Sequence, residues 1–346
     1  MKLASFKTRD DDQAVRLGVL IHDHLVPADA LVGYYQADRQ ALTDMASYLA
    51  DHPASHDRLQ ELVAKVMDDS FVLDSLEKYN PDDVKFLPAI PKPSALLDFA
   101  LSPRHIRNSA RTMIRHEKKW PVSWILKWVV EKNYQKNKDR PEFKFYKGNH
   151  NTIIGDMDQP IWPKFSSYLD VEPELAIVTG PAALNASSEE LEQAIAGYVI
   201  FNDFSARDVQ WPEMVGMSGP TRSKDLEKGN ALGPLLVTPD ELPNPLHLSV
   251  EVNIGGRMRW VGSTSEYTAR PLEVLEYLAS FRSLPAGMVI GMGTIPDCCG
   301  LDRDEWIRPG DLVEITFERL GTLRQVIPAD PGALEPSRWT VRDFEA

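Results

Sequence analysis

The chain has little cysteine: only Cys298 and Cys299 occur among its 346 residues, and they are adjacent. Neighbouring cysteines rarely pair with each other, so a disulfide framework is excluded and a reducing, cytoplasmic setting is expected. The pair also lacks the spacing of a zinc-ligand set. Long apolar runs are missing as well. Stretches such as 194–201 fall far short of the ~20 residues that a bilayer-spanning helix needs, so no membrane partner is expected. The start, Met1-Lys2-Leu3-Ala4, reaches Arg9-Asp10-Asp11-Asp12 before any long apolar stretch, so a secretory signal is not expected. No P-loop or Gly-x-Gly-x-x-Gly loop is present, and Gly216-Met217-Ser218-Gly219-Pro220 is not a Gly-x-Ser-x-Gly elbow. Internal repeats and low-complexity segments are absent too.

What remains is an ordinary globular composition, 43% hydrophobic and 26% charged. A chain of this length exceeds what one compact core needs, so a large domain with a smaller companion is expected. The net charge of −13 argues against general nucleic-acid binding. The charge is uneven, however: between Arg104 and Lys147 there are 13 Lys/Arg against four acids, Glu117, Glu131, Asp139 and Glu142. A solvated helix face, a wall or lid attracting an anionic substrate, and a nucleic-acid arm are the three readings of that window.

Patterning divides the chain. Residues 2–26 alternate short apolar runs with turns and read as strands, and 36–67 carries helical spacing at Leu42, Met45, Tyr48, Leu49, Leu59, Leu62, Val63 and Val66. Pro88, Pro91 and Pro93 crowd one short segment that is neither helix interior nor central strand. A boundary there gives an N-terminal domain, 1–87, of short strands plus a helical hairpin, and a second domain, 88–346. Ser102-Pro103 reads as a helix start, and 111–135 as mostly helix interrupted at Pro121. Strands are expected over 151–154, 171–178, 197–202, 235–238, 246–254, 287–292 and 312–317, with helices over 188–195 and 272–280. Many short strands and few helices point to a β-rich roll or barrel.

Two segments carry chemistry. In Glu172-Pro173-Glu174 the acids lie two apart and so share one face of a strand. They are either a solvated strand edge or a pair neutralised by a shared proton or a cation. An apolar strand then ends abruptly at Asn202-Asp203, followed by Phe204-Ser205-Ala206-Arg207-Asp208-Val209-Gln210.

Together these segments resemble the fumarylacetoacetate hydrolase family, with its Glu-x-Glu strand and Asn-Asp-x-Ser-Ala-Arg-Asp segment. The resemblance continues through Ser223-Lys224, Leu232-Gly233-Pro234, Val252-Asn253-Ile254-Gly255-Gly256, Gly291-Met292-Gly293-Thr294, Pro309-Gly310-Asp311-Leu312-Val313-Glu314-Ile315 and Leu320-Gly321-Thr322-Leu323. Asp98-Phe99, His105 and Asn108 are similar to the Asp-Phe…His-x-x-Asn of the namesake enzymes, and Tyr146-Lys147-Gly148 to their Tyr-x-Gly. The resemblance implies an α+β, mainly β architecture: a small N-terminal domain, then a β-roll catalytic domain with a basic, aromatic helical insertion at about 106–145. It implies a homodimer. It also implies a divalent metal held by Asp98, Glu172, Glu174 and Asp203.

An all-oxygen set suits Mg²⁺ first, with Ca²⁺ or Mn²⁺ as alternatives, and Lys224 and Arg207 offset the excess negative charge. The implied reaction is hydrolysis of a carbon–carbon bond in an anionic 1,3-dicarbonyl substrate, an acylpyruvate or β-diketone acid from the catabolism of an aromatic or related compound. His105 is the expected base, with Arg207, Gln210 and Lys224 as oxyanion stabilisers and Tyr146, Thr294, Arg207 and Gln210 as substrate contacts. The acid expected to orient His105 is Glu305, with Asp297 and Asp302 as the other candidates. Alternatives are a metal-enolate decarboxylase, dehydratase or tautomerase of a 2-oxo acid, and a non-catalytic anion-binding protein. Ala100 stands where the namesake enzymes carry a substrate-contacting tyrosine, so a different substrate is expected. Trp120, Trp124 and Trp128 fall on one helix face, as core packing, a dimer contact or an aromatic lid.

Overall fold

Two strands have no exposed face. Pro173–Thr179 and Ile195–Asp203 are buried at every position, so both sides of the sheet they form must be covered. They pair antiparallel in the middle of a twelve-stranded sheet. Leu175, Ile177, Tyr198 and Ile200 point into one core, and Ala176, Val178, Val199 and Phe201 into the other. That split is the period-2 alternation of a strand.

The computed structural model describes residues 1–9 and 14–340. Asp10–Asp12 of the early charged run and 341–346 at the end of the expected second domain lie outside the described residues. Lys2–Thr8, Arg16–Ile21 and His24–Pro27 extend one edge of the sheet through Leu235–Val237. Helices Met45–Ala50 and Ala54–Asp68 cover that side. Residues before the proline-rich segment thus form a small layer whose strands continue the main sheet, and Ala89 is tied to both sides, through Ser5 Oγ and Gly233 O. The other face packs on a four-stranded antiparallel sheet in the order Met258–Ser263, Ser249–Ile254, Leu312–Phe317, Gly321–Val326. This is an α+β, mainly β architecture with an N-terminal domain and a β-roll.

Strands Met288–Gly291, Ala95–Phe99 and Phe145–Gly148 continue the sheet beyond Pro173–Thr179. From Ala95–Phe99 the chain enters helix Pro103–Glu117, then Val122–Asn137. Pro103 sits in the first turn, where its missing N–H costs nothing. Ser102 occupies the N-cap position, but its side chain makes no capping bond. Core packing fails for the tryptophans: Trp120, Trp124 and Trp128 are 81%, 64% and 54% exposed. The second helix touches the body mainly through the first, and among the described residues none of its own positions is buried.

Candidate active site

Strand register builds the site. Gly291 lies opposite Asp98 on one side and Ala176 on the other, Asp98 opposite Tyr146, and Glu174 opposite Phe201. Asp98, Glu174 and Asp203 therefore gather at one level of the sheet. Glu172 joins them from just before its strand, where its carbonyl accepts the Asp203 N–H at 3.1 Å. All four carboxylates are buried, from 0% exposed for Asp203 to 6% for Asp98. Gly291 makes the cluster possible: a Cβ there would stand 2.5 Å from Glu174 Oε2 and 3.0 Å from Asp98 Oδ1.

The electrostatics are unbalanced. Burial, then the Asp203 charge, pushes the Asp98 carboxyl up to about 7. Burial and the Asp98 charge hold Glu174 well above the carboxylate range, and burial raises Asp203. Glu172 goes the other way. Burial opposes its ionisation, but Arg207, Lys224 and His105 overcome that and hold it well below the usual range. Lys224 Nζ bridges Glu172 and Asp203, and Tyr146 donates to Asp203 Oδ2 at 2.5 Å. Even so, among the described residues no donor serves Asp98 Oδ1 or Asp203 Oδ1. Buried carboxylate oxygens without donors, crowded so that their charges oppose one another, suit a hard divalent cation. Asp98, Glu172, Glu174 and Asp203 fit such an ion.

His105 stands beside this cluster. Its Nε2 is 3.5 Å from Glu172 Oε1, and its Nδ1 is 2.9 Å from Asp302 Oδ1. Burial alone would lower its pKa; the Asp302 charge and hydrogen bond, then Glu172, raise it to about 9. The expectation for Glu305 is corrected here. Its Oε2 accepts from Trp260 Nε1 and Arg303 Nε, both at 2.9 Å, and it is Asp302 that meets the imidazole. Helix Gly300–Arg303 explains the difference, because its turn carries residue 302 towards helix Pro103–Glu117 and residue 305 away. Asp297 is taken by Arg104 and Asn108.

Arg207 is tied into the cluster by three contacts. Its Nε binds Asp170 at 2.8 Å and its Nη2 lies 2.6 Å from Glu172 Oε1, while its Nη1 donates to Gln210 Oε1 at 3.1 Å. At 1% exposed, it holds Glu172 in place. Gln210 sits behind it. Thr294 Oγ1 and the Gly293 N–H face Glu174. The sequence pattern alone did not single out Asp170, which also accepts the Gly300 and Leu301 N–H groups at 2.7 and 2.9 Å and so anchors the helix bearing Asp302. Its signal was available: Asp170, Glu172 and Glu174 alternate. A cavity of about 240 Å³ between the two insertion helices is a different place. Its lining residues Pro103, Ile106, Arg107 and Ala110 lie on the opposite side of the first helix from His105 and Ser109.

A β-roll holding four buried carboxylates, a lysine and an acid-oriented histidine is a site with donors that suit a divalent cation. The chain belongs to the fumarylacetoacetate hydrolase family: the family's sequence model, "Fumarylacetoacetate (FAA) hydrolase C-terminal", matches residues 108–328. Among curated proteins it is similar to the oxaloacetate tautomerase YisK of Bacillus subtilis, 34% identical over 163 residues, 47% of this chain and 53% of that one. It is also similar to a 2,4-didehydro-3-deoxy-L-rhamnonate hydrolase of Sphingomonas, 30% identical over 51% of this chain and 62% of that one. The chain thus spans little more than half the length of these two relatives. In fold it is similar to a fumarylacetoacetate hydrolase of Exiguobacterium antarcticum, with TM-score 0.67, 22% identity, and 95% of this chain and 100% of that chain covered. It is likewise similar to a maleylpyruvate hydrolase of Sphingobium solved with manganese(II) and pyruvate, with TM-score 0.65, 17% identity, and 95% and 99% covered.

Proposed function

We propose that this chain hydrolyses a carbon–carbon bond in an anionic 1,3-dicarbonyl acid, with a divalent cation, Mg²⁺ first, at Asp98, Glu172, Glu174 and Asp203. The observation that carries this reading is the His105–Asp302 pair set beside Glu172. Hydrolysis needs a base for water, and an acid-oriented histidine supplies one. A bound divalent ion would supply Lewis acidity to the two substrate oxygens.

The chain's own residues do the rest. Asp302 fixes the proton on Nδ1, so Nε2 faces the reacting groups as acceptor. Part of the upward shift of His105 comes from the Glu172 charge, and that part lapses once Glu172 is engaged by a cation. Water adds to the carbonyl carbon as Nε2 takes its proton. The adjacent C–C bond breaks, its electron pair stays on the departing carbon as an enolate, and His105 returns the proton there. Lys224 and Tyr146, at the edge of the cluster, face developing negative charge. Arg207 and Gln210 position Glu172. The chain is proposed to work as a homodimer.

Tautomerisation of a 2-oxo acid is the second reading. It is favoured by the 34% identity to an oxaloacetate tautomerase, and His105 alone could move the proton. A panel of acylpyruvates, aromatic diketone acids and oxaloacetate, assayed with Mg²⁺, separates the two. Release of a carboxylic acid, lost in His105→Ala, is the expected result. Enol–keto interconversion or CO₂ release without acid formation moves the assignment to the second reading. Full turnover after exhaustive chelation refutes the metal.

A further inference from the structure

A second set of donors lies about the His105 ring, with Ser109 Oγ 3.4 Å from Nε2 as well. Cys299 Sγ lies 3.7 Å from Nδ1, Ser109 Oγ 3.3 Å, and Asp302 Oδ1 2.9 Å. Ser109 Oγ is itself 2.9 Å from Asp302 Oδ1, and the His105, Cys299 and Asp302 donors all fall within 4.8 Å of one another. His105, Ser109 and Cys299 are buried. The reaction uses Nε2, which faces Glu172, and nothing in it calls for a thiol at Nδ1.

We infer that His105 Nδ1, Cys299 Sγ and the Asp302 carboxylate, with Ser109 Oγ as a fourth donor, form a binding site for a thiophilic divalent cation such as Zn²⁺, and that occupancy switches the enzyme off. The chemistry differs from that of the carboxylate cluster. Thiolate and imidazole select zinc, whereas an all-oxygen set selects Mg²⁺ or Ca²⁺. The spacing also fits. A tetrahedral ion with bonds of about 2.0–2.3 Å holds its donors roughly 3.3–3.7 Å apart. The other donors stand 2.9–3.7 Å from Nδ1, and Ser109 Oγ stands 2.9 Å from Asp302 Oδ1, so Asp302 Oδ1 has to draw back from both. Asp302 is held by the Asp297 N–H through its other oxygen, which leaves Oδ1 as the atom that turns to the ion.

Binding exchanges a proton for metal. The single ring hydrogen moves from Nδ1 to Nε2, the Cys299 thiol hydrogen leaves as a proton, and the ion takes the Nδ1 and thiolate lone pairs. With Nδ1 occupied, the neutral ring keeps its hydrogen on Nε2, which then has no lone pair with which to accept a proton from water. Inhibition therefore rests on the base role proposed above, while binding does not.

The test uses the full chain with Mg²⁺ in excess, so that the carboxylate cluster is occupied. Zinc should abolish turnover at about one equivalent. Cobalt(II) should produce a thiolate-to-metal charge-transfer band in the near ultraviolet. Cys299→Ser, and Cys299→Ala should the serine variant fold poorly, should remove the band and weaken zinc inhibition by about tenfold or more, with turnover in Mg²⁺ retained. Cys298→Ser should keep the band. Cobalt binding with no band, or equal zinc inhibition in both Cys299 variants, overturns the site. A band with turnover intact upholds the site and refutes the base role of His105.

Discussion

Replacing Gly291 by alanine tests whether the carboxylate cluster is a metal site built to tolerance. The backbone there is ordinary strand, so the change introduces no conformational strain. What it introduces is one methyl group in a space bounded by Glu174 Oε2 at 2.5 Å, Asp98 Oδ1 at 3.0 Å and Phe201 Cδ1 at 3.1 Å. Ordinary contact begins near 3.4 Å, so Glu174 Oε2 must retreat by about 0.9 Å (3.4 − 2.5) and Asp98 Oδ1 by about 0.4 Å (3.4 − 3.0). Glu174 cannot retreat freely, because Gly293 N and Thr294 Oγ1 hold it from behind. Overpacking of this kind costs about 1–3 kcal/mol of stability. A Mg²⁺ site tolerates little, since its bonds sit near 2.0–2.1 Å in a near-octahedral frame. Metal affinity should therefore fall by roughly 10–100-fold or more, and turnover by a similar factor at limiting metal. Calorimetric titration with Mg²⁺ and Mn²⁺ on folded protein, checked by thermal melting, reads both effects. A Gly291→Ala protein that melts within a few degrees of the parent and binds both ions with parental affinity would show that Asp98 and Glu174 are not ligands.

Asp302→Asn keeps the shape of the His105 partner and removes its charge; turnover should drop by roughly 10²–10⁴-fold with metal affinity unchanged, whereas Glu305→Gln should leave steady-state kinetics near the parent. His52 gives a pH prediction away from the site: burial, then neighbouring His56, lowers its pKa from 6.5 to about 4, and its Nε2 is 2.9 Å from the Gln193 carbonyl. A depressed folded value means the unfolded chain binds the proton first, so stability is complete above about 6.5 and falls as pH drops towards 4, by up to about 3 kcal/mol. Urea midpoints across that window should show a fall that His52→Gln removes, and identical curves would exclude His52 as its source. Light scattering at micromolar concentration should report a dimer, and a monomer alone would refute the proposed assembly.

How far the sequence shows this architecture depends on whether a signal is local. Central strands over 173–179 and 195–203 are legible because a short, continuous apolar run with an abrupt polar end suits a strand buried on both faces. Ala95–Phe99, Phe145–Gly148 and Met258–Ser263 are not legible by pattern, being short and half-exposed or cut by polar residues. The carboxylates could be read because motif order carries them. The partner of His105 could not, since 302 and 305 both carry acids and only the short helix at 300–303 decides which one turns inward.

The Trp120, Trp124, Trp128 stripe shows the opposite failure. Only Trp124 and Trp128 lie on helix Val122–Asn137, while Trp120 precedes it, and the spacing of the two identifies a shared face without saying what that face meets. Here helix Val122–Asn137 rides on Pro103–Glu117, which turns His105 inwards and Arg107 and Arg111 outwards to Glu131. The basic window is therefore in part an ion-paired seam between two helices. That seam fixes the outer helix to the one carrying His105.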